Sequence, residues 1–194
     1  MNSLEAALRR VAVDLKKSGH PWALVGGFAV SARVEPRFTR DIDIAVLVDD
    51  DSAAEALVRS LISDGYAAFS SVEHDSGRLA MVRMRSARGD ADVVVDLLFA
   101  SSGIEAEIAR TSESVEITPG LSVPVAAVGH LIAIKILARD DLGRPQDAAD
   151  LRALRSVAGP EDLALAEEAV VLIEARGFNR GRDLRQAFSE FASS

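Results

Sequence analysis

Apolar residues recur along this chain at two periods, and each change of period marks the edge of an element. Leu4, Leu8, Val11 and Leu15 fall at helical spacing, so Ser3 to Lys17 is expected to form an amphipathic helix, capped by Ser3 and stopped by Gly19 and Pro21. Trp22 to Val25 is a short apolar strand that runs into Gly26-Gly27. Phe28 to Val34 reads as a helix ended by Pro36, because the residue before a proline resists helical geometry. From about Asp41 to Val48 acidic and apolar residues alternate, which is the period of a strand. Asp49-Asp50-Asp51 follows, and the position of Asp51-Ser52 just before a helical run from Ala53 to Ile62 makes capping and the helix dipole its explanation.

The middle of the chain reads as a meander. Strands are expected over Tyr66–Val72, Arg78–Arg85 and Ala91–Phe99, joined by turns rich in Gly and Asp. Ser101 to Thr111 reads as a short helix, and Val115 to Val123 as a hairpin around Pro119-Gly120. After Pro124 comes a helix that is apolar nearly all round, and so buried; Lys135 is its one charged residue with His130 counted neutral. Such a lysine either snorkels to the surface or aims its ammonium into a site. Pro145 fits the first turn of the next helix, where Asp147 and Asp150 are three apart and Asp147 is placed to face the N-terminal dipole. Gly159-Pro160 breaks the chain before helices at Glu161–Arg176 and Arg182–Phe191.

The candidate chemistry gathers near the first glycine pair. Gly26-Gly27 sits where a strand gives way to a helix, so backbone N–H groups and the positive dipole end can hold a phosphate at close approach. Asp41 and Asp43 share one face of their strand while Ile42 and Ile44 take the other, and paired carboxylates on a rigid strand suit a divalent cation. Asp92 and Asp96 also share a face if their strand is regular. Asp96 is embedded in Val-Val-Val-Asp-Leu-Leu-Phe, where an unpaired charge is costly, so it needs a metal or an arginine as partner. Asp92, beside the turn, reads as solvated.

The pattern Gly26-Gly27 … Arg37-Phe38-Thr39-x-Asp41-x-Asp43 resembles the signature of the DNA polymerase beta-like nucleotidyltransferases, and its Arg-Phe-Thr-x-Asp-Ile-Asp form is similar to the AbiEii/MenT group of toxins. The Val-Asp-Leu-Leu around Asp96 is similar to that superfamily's third-acid strand. The lysine helix, the Arg144-Pro145 turn and Asp147-x-x-Asp150 resemble a further segment of the group, so that the resemblance runs from about Trp22 to Leu154. It implies an α+β or α/β fold, with a mixed-sheet nucleotidyltransferase core flanked by helices over residues 1–124 and a C-terminal helical bundle over 125–194 that completes the active site. It implies that Asp41, Asp43 and Asp96 hold Mg²⁺, two ions by expectation. Gly26, Gly27, Thr39 and Arg40 would bind the NTP substrate together with Lys135, and Asp150 would belong to the active site.

The acceptor implied is the 3′ end of tRNA, whose modification would block translation, with a cognate antitoxin as partner. Transfer to a small-molecule hydroxyl or a protein side chain is the alternative reaction. A nucleotide- or antitoxin-binding module without turnover is the alternative of another class, and the presence of all three acids and the lysine argues against it.

Composition narrows this picture. A net charge of −8 argues against a protein whose whole surface grips nucleic acid, leaving two arginine groups, Arg78/Arg83/Arg85/Arg88 and Arg176/Arg180/Arg182/Arg185, as solvated faces or local polyanion contacts. The absence of cysteine excludes disulfides and thiolate metal sites and fits a cytoplasmic protein, and the scattered His20, His74 and His130 speak against zinc. Nothing resembles a signal peptide or reaches the roughly 18 apolar residues of a membrane span.

Overall fold

The structure is a computed structural model and describes residues 3–35, 39–86, 93–139 and 145–193. The expectations for Pro36-Arg37-Phe38, for Arg88, for the turn before Asp92, for Asp92 itself and for Arg144 lie outside the described residues.

Helix α1 (Ser3–Ser18) buries Ala7, Leu8, Val11 and Leu15, the face its spacing predicts. Strand β1 (Trp22–Val25) is buried along its whole length and passes directly into α2 (Gly26–Arg33). The helix therefore starts on the glycine pair rather than at Phe28. Strand β2 (Asp41–Val46) alternates as expected, with Ile42 and Ile44 fully buried and Asp41 and Asp43 on the opposite face. Helix α3 (Asp51–Ser63) is capped by Asp50, whose side chain accepts from the Ala53 N–H at 2.8 Å. Asp51 instead accepts from the Leu79 N–H, so only one acid of the run is the cap.

Strands β3 (Tyr66–Glu73), β4 (Leu79–Ser86) and β5 (Val94–Leu98) form the meander. Helix α4 covers only Glu105–Arg110. It starts late because the Glu105 carboxylate accepts from the N–H groups of Ser101 and Ser102 and from the Ser102 hydroxyl, which folds the preceding segment into a loop. Strands β6 (Glu113–Thr118) and β7 (Leu121–Val125) make the hairpin, and α5 (Val128–Ala138), α6 (Pro145–Val157), α7 (Pro160–Ala175) and α8 (Leu184–Ala192) complete the chain.

The strands form one mixed sheet in the order β3-β4-β5-β2-β1-β7-β6. The β2–β5 and β1–β7 pairs are parallel, and the remaining neighbours are antiparallel. This is the expected α/β architecture, with the acid-bearing β2 at its centre. One hydrophobic cluster joins sheet and helices, from Leu8 and Ile42 to Ile132, Val170 and Phe188. Buried α5 packs against α2, α6 and α7. Its approach to α7 needs Gly129, where a Cβ would meet the Asp162 carbonyl at 2.5 Å. No helix among the described residues is long and apolar enough to cross a membrane.

Candidate active site

Strand register decides which side chains meet. Val25 lies opposite Asp43 across β1–β2, Asp43 opposite Asp96 across β2–β5, and Arg83 opposite Asp96 across β4–β5. Residues opposite one another in a ladder project to the same face, so Asp41, Asp43, Asp96 and Arg83 stand together on one side of the sheet. All four line a cavity of about 860 Å³.

The floor of that cavity is the β1–α2 junction. Gly26 has φ +66°, a conformation that costs other residues, and a Cβ placed there would run into the Asp43 carboxylate. Gly26 and Gly27 form the first turn of α2, line the cavity and have no side-chain cap, so the orphan N–H groups of the helix start remain for an anion.

The electrostatics show a shortage of positive charge. Burial, then the neighbouring Asp96 and Asp41, raise the Asp43 carboxyl to about 6, while Lys135 and Arg83 pull it the other way. Asp96 is 3% exposed and takes a two-pronged ion pair from Arg83: Nε donates to Oδ1 at 2.8 Å and Nη2 to Oδ2 at 2.6 Å. That hydrogen-bonded pair holds the Arg83 guanidinium still more firmly protonated than an ordinary arginine.

Across the cavity, Lys135 does not snorkel. Its Nζ lies 2.7 Å from Asp147 Oδ1 and 2.8 Å from Asp150 Oδ2, and all three residues are buried. Two carboxylates answer the desolvation of one ammonium. Lys135 and Asp147 line the cavity, and the buried Oδ2 of Asp147 has no hydrogen-bond partner among the described residues. Asp150 is not among the lining residues and holds the lysine from behind.

Among the sequence-predicted residues, Gly26, Gly27, Asp41, Asp43, Asp96 and Lys135 come together at the cavity. Thr39 and Arg40 stand at the start of β2 and do not line it; the Thr39 hydroxyl donates to the Asp41 carbonyl at 3.4 Å. Arg83, Asp147 and Glu105 line the cavity without having been singled out as site residues, and His74, Asp75 and Arg180 line it too. The need of buried Asp96 for a partner was the signal for Arg83. The need of buried Lys135 for more than one carboxylate was the signal for Asp147.

Five other arginines of the two groups are engaged within the fold. Arg176 pairs with Glu107, Arg185 with Glu174 and Arg78 with Asp51, Arg182 donates to the Leu137 carbonyl, and Arg85 lies over the Phe69 ring.

Asp41 and Asp43 suit a hard divalent cation: neighbouring carboxylates with no ion-pair partner among the described residues, the Asp43 carboxyl raised by burial first and then by Asp96 and Asp41. Asp96 faces the same space with both oxygens taken by Arg83. Among the described residues no three acidic or histidine side chains converge closely enough to form a ready-made metal site.

The model of the nucleotidyl transferase AbiEii toxin family, a type IV toxin–antitoxin system, matches residues 7–193, well beyond the segment from Trp22 to Leu154 that carries the motifs. No curated protein matches the chain. Among solved structures, the lincomycin-bound lincosamide antibiotic adenylyltransferase LnuA is 14% identical over 79% of this chain and 98% of its own, with a TM-score of 0.50. The antibiotic-resistance factor ANT(2'')-Ia is 20% identical over 100% of this chain and 96% of its own, with a TM-score of 0.48.

Proposed function

Because the chain belongs to the nucleotidyl transferase AbiEii toxin family, we propose that it transfers a nucleotide from an NTP to the 3′ end of tRNA, with a cognate antitoxin as its partner. The observation that carries this reading is the register that sets Asp41, Asp43 and Asp96 on one face beside Gly26.

In this reading the N–H groups of Gly26 and Gly27 receive the β- and γ-phosphates. Lys135, held by Asp147 and Asp150, presents its ammonium to the triphosphate, and Asp150 acts as a positioning residue behind it. Asp41 and Asp43, joined by Asp96, are the residues that would hold Mg²⁺, which supplies charge stabilisation for the attacking and leaving oxygens. The acceptor hydroxyl adds to the α-phosphorus as the bond to pyrophosphate breaks, and Asp96 takes the hydroxyl proton. Positioning and charge suffice, with no covalent intermediate.

A small-molecule hydroxyl is the second acceptor to test. Glu73 and Asp75 line the cavity and favour a cationic compound over a phosphate backbone. The test is incubation with each labelled NTP, Mg²⁺ and total tRNA, comparing the native chain with Asp41→Ala. Label on tRNA that disappears in the variant supports the reading. Label that survives the substitution removes Asp41 from the mechanism, and no label with any NTP favours a binding module without turnover.

A further inference from the structure

Asp96 is needed by two cations. Proposed as a ligand for a divalent metal, it is already saturated by the guanidinium of Arg83 at 2.8 and 2.6 Å. The two partners are unequally placed: the Asp96 side chain is 4% exposed, whereas that of Arg83 is 39% exposed. Arg83 reaches in from the solvent side and can return to water at little cost, but Asp96 cannot be left without a counter-charge. The other buried cation nearby cannot substitute, because Lys135 is committed to Asp147 and Asp150.

We infer that Arg83 is a latch: it holds Asp96 at the site while no divalent cation is bound, and gives the carboxylate up when the cation arrives. Arg83 is thus a positioning residue acting through Asp96, and it sets the affinity for the metal. The inference rests on the nucleotidyl transfer reading in placing the cation at Asp41 and Asp43. Two features of the site agree with it. The register sets Arg83 and Asp43 on either side of Asp96 on one face of the sheet, so a cation at Asp43 would compete with the guanidinium for the same carboxylate. In addition, Asp43 lies directly opposite Asp96 in the β2–β5 ladder, so a cation held on β2 is already beside the third carboxylate.

The test is Mn²⁺ binding to the full chain without nucleotide, read by calorimetry or by the loss of the free-ion paramagnetic signal. Arg83→Gln is expected to bind Mn²⁺ about fivefold or more tightly than the native chain, the low end of the usual coupling between two linked equilibria. It is also expected to melt at a lower temperature in EDTA and to regain most of that loss on adding Mn²⁺. Removing a positive charge would tighten cation binding even without an exchange at Asp96, so Arg83→Gln/Asp96→Asn is the discriminating variant. Loss of the gain there supports the latch, and persistence of the gain overturns it.

Arg83→Lys, which keeps the charge but not the paired hydrogen bonds, is expected to fall between the native chain and Arg83→Gln, and covers the case in which Arg83→Gln does not fold. Unchanged or weaker Mn²⁺ binding in a folded Arg83 variant overturns the latch alone if the native chain still transfers label. A native chain that neither binds Mn²⁺ nor transfers label overturns the function reading as well.

Discussion

Gly26 and Asp43 occupy a space that one methyl group would close: a Cβ on residue 26 collides with the Asp43 carboxylate, and the backbone there is left-handed at φ +66°. The glycine therefore fixes both the turn into α2 and the position of the acid. Gly26→Ala adds about 1–2 kcal/mol of backbone strain and displaces Asp43. Transfer activity is expected to fall by roughly 100-fold, the effect of misplacing a reacting group by about 1 Å, while the far-UV spectrum stays native. Initial rates with labelled NTP and a thermal melt check both parts.

The Lys135 cluster makes a separate prediction about stability. Lys135→Met strands two buried carboxylates, Asp147 and Asp150, and is expected to cost about 3–5 kcal/mol in urea unfolding. The triple variant Lys135→Met/Asp147→Asn/Asp150→Asn removes the stranded charges and is expected to recover more than half of that loss. If the single variant is as stable as the native chain, the cluster is not the anchor of α6 against α5.

How much of this was legible in the chain depended on whether the signal was local. Asp41 and Asp43 could be read because a strand's period of two puts both on one face, and Asp96 because a charge inside an apolar run demands a partner. The partner's identity could not be read. Arg83 meets Asp96 only through the β4–β5 register, and a shift of one residue would have turned Arg83 to the other face. Asp147 passed for a helix-dipole partner because it sits in the first turn of α6; that this turn packs over Lys135 of α5 is a tertiary fact. The late start of α4 has the same origin, since Glu105 spends its carboxylate on the loop that precedes its own helix.

Asp43 carries a charge that the metal-free fold disfavours. Its carboxyl rests at about 6 because of burial and the nearby Asp96 and Asp41. Asp43→Asn is therefore expected to abolish transfer yet stabilise the protein in EDTA at pH 8, by on the order of 2 kcal/mol or roughly 4–8 °C in melting temperature. Mg²⁺ at millimolar concentration is expected to raise the melting temperature of the native chain and not of the variant. A variant that melts lower than the native chain in EDTA would show that the carboxylate has a structural role instead.

His130 gives the acid side of the stability profile. It is 2% exposed on α5, with the Thr111 hydroxyl 3.4 Å from Nδ1, and burial lowers its pKa from 6.5 against a weaker opposing pull from Glu107, itself paired with Arg176. The folded protein thus takes up the proton less readily than the unfolded chain. Below pH 6.5 the unfolded state binds more protons, so the contribution of His130 to stability is complete above that pH and is lost as the pH falls toward the folded value. Asp43 acts in the opposite sense in metal-free protein, losing stability as pH rises through about 6, so the two must be separated by difference. His130→Gln is expected to lower stability at pH 8 but to flatten the acid limb. The difference in unfolding free energy between native chain and variant should shrink steadily from pH 7.5 to 5.5 in urea titrations. A difference that stays constant across that range would mean that His130 keeps the same protonation state in the folded and unfolded chains.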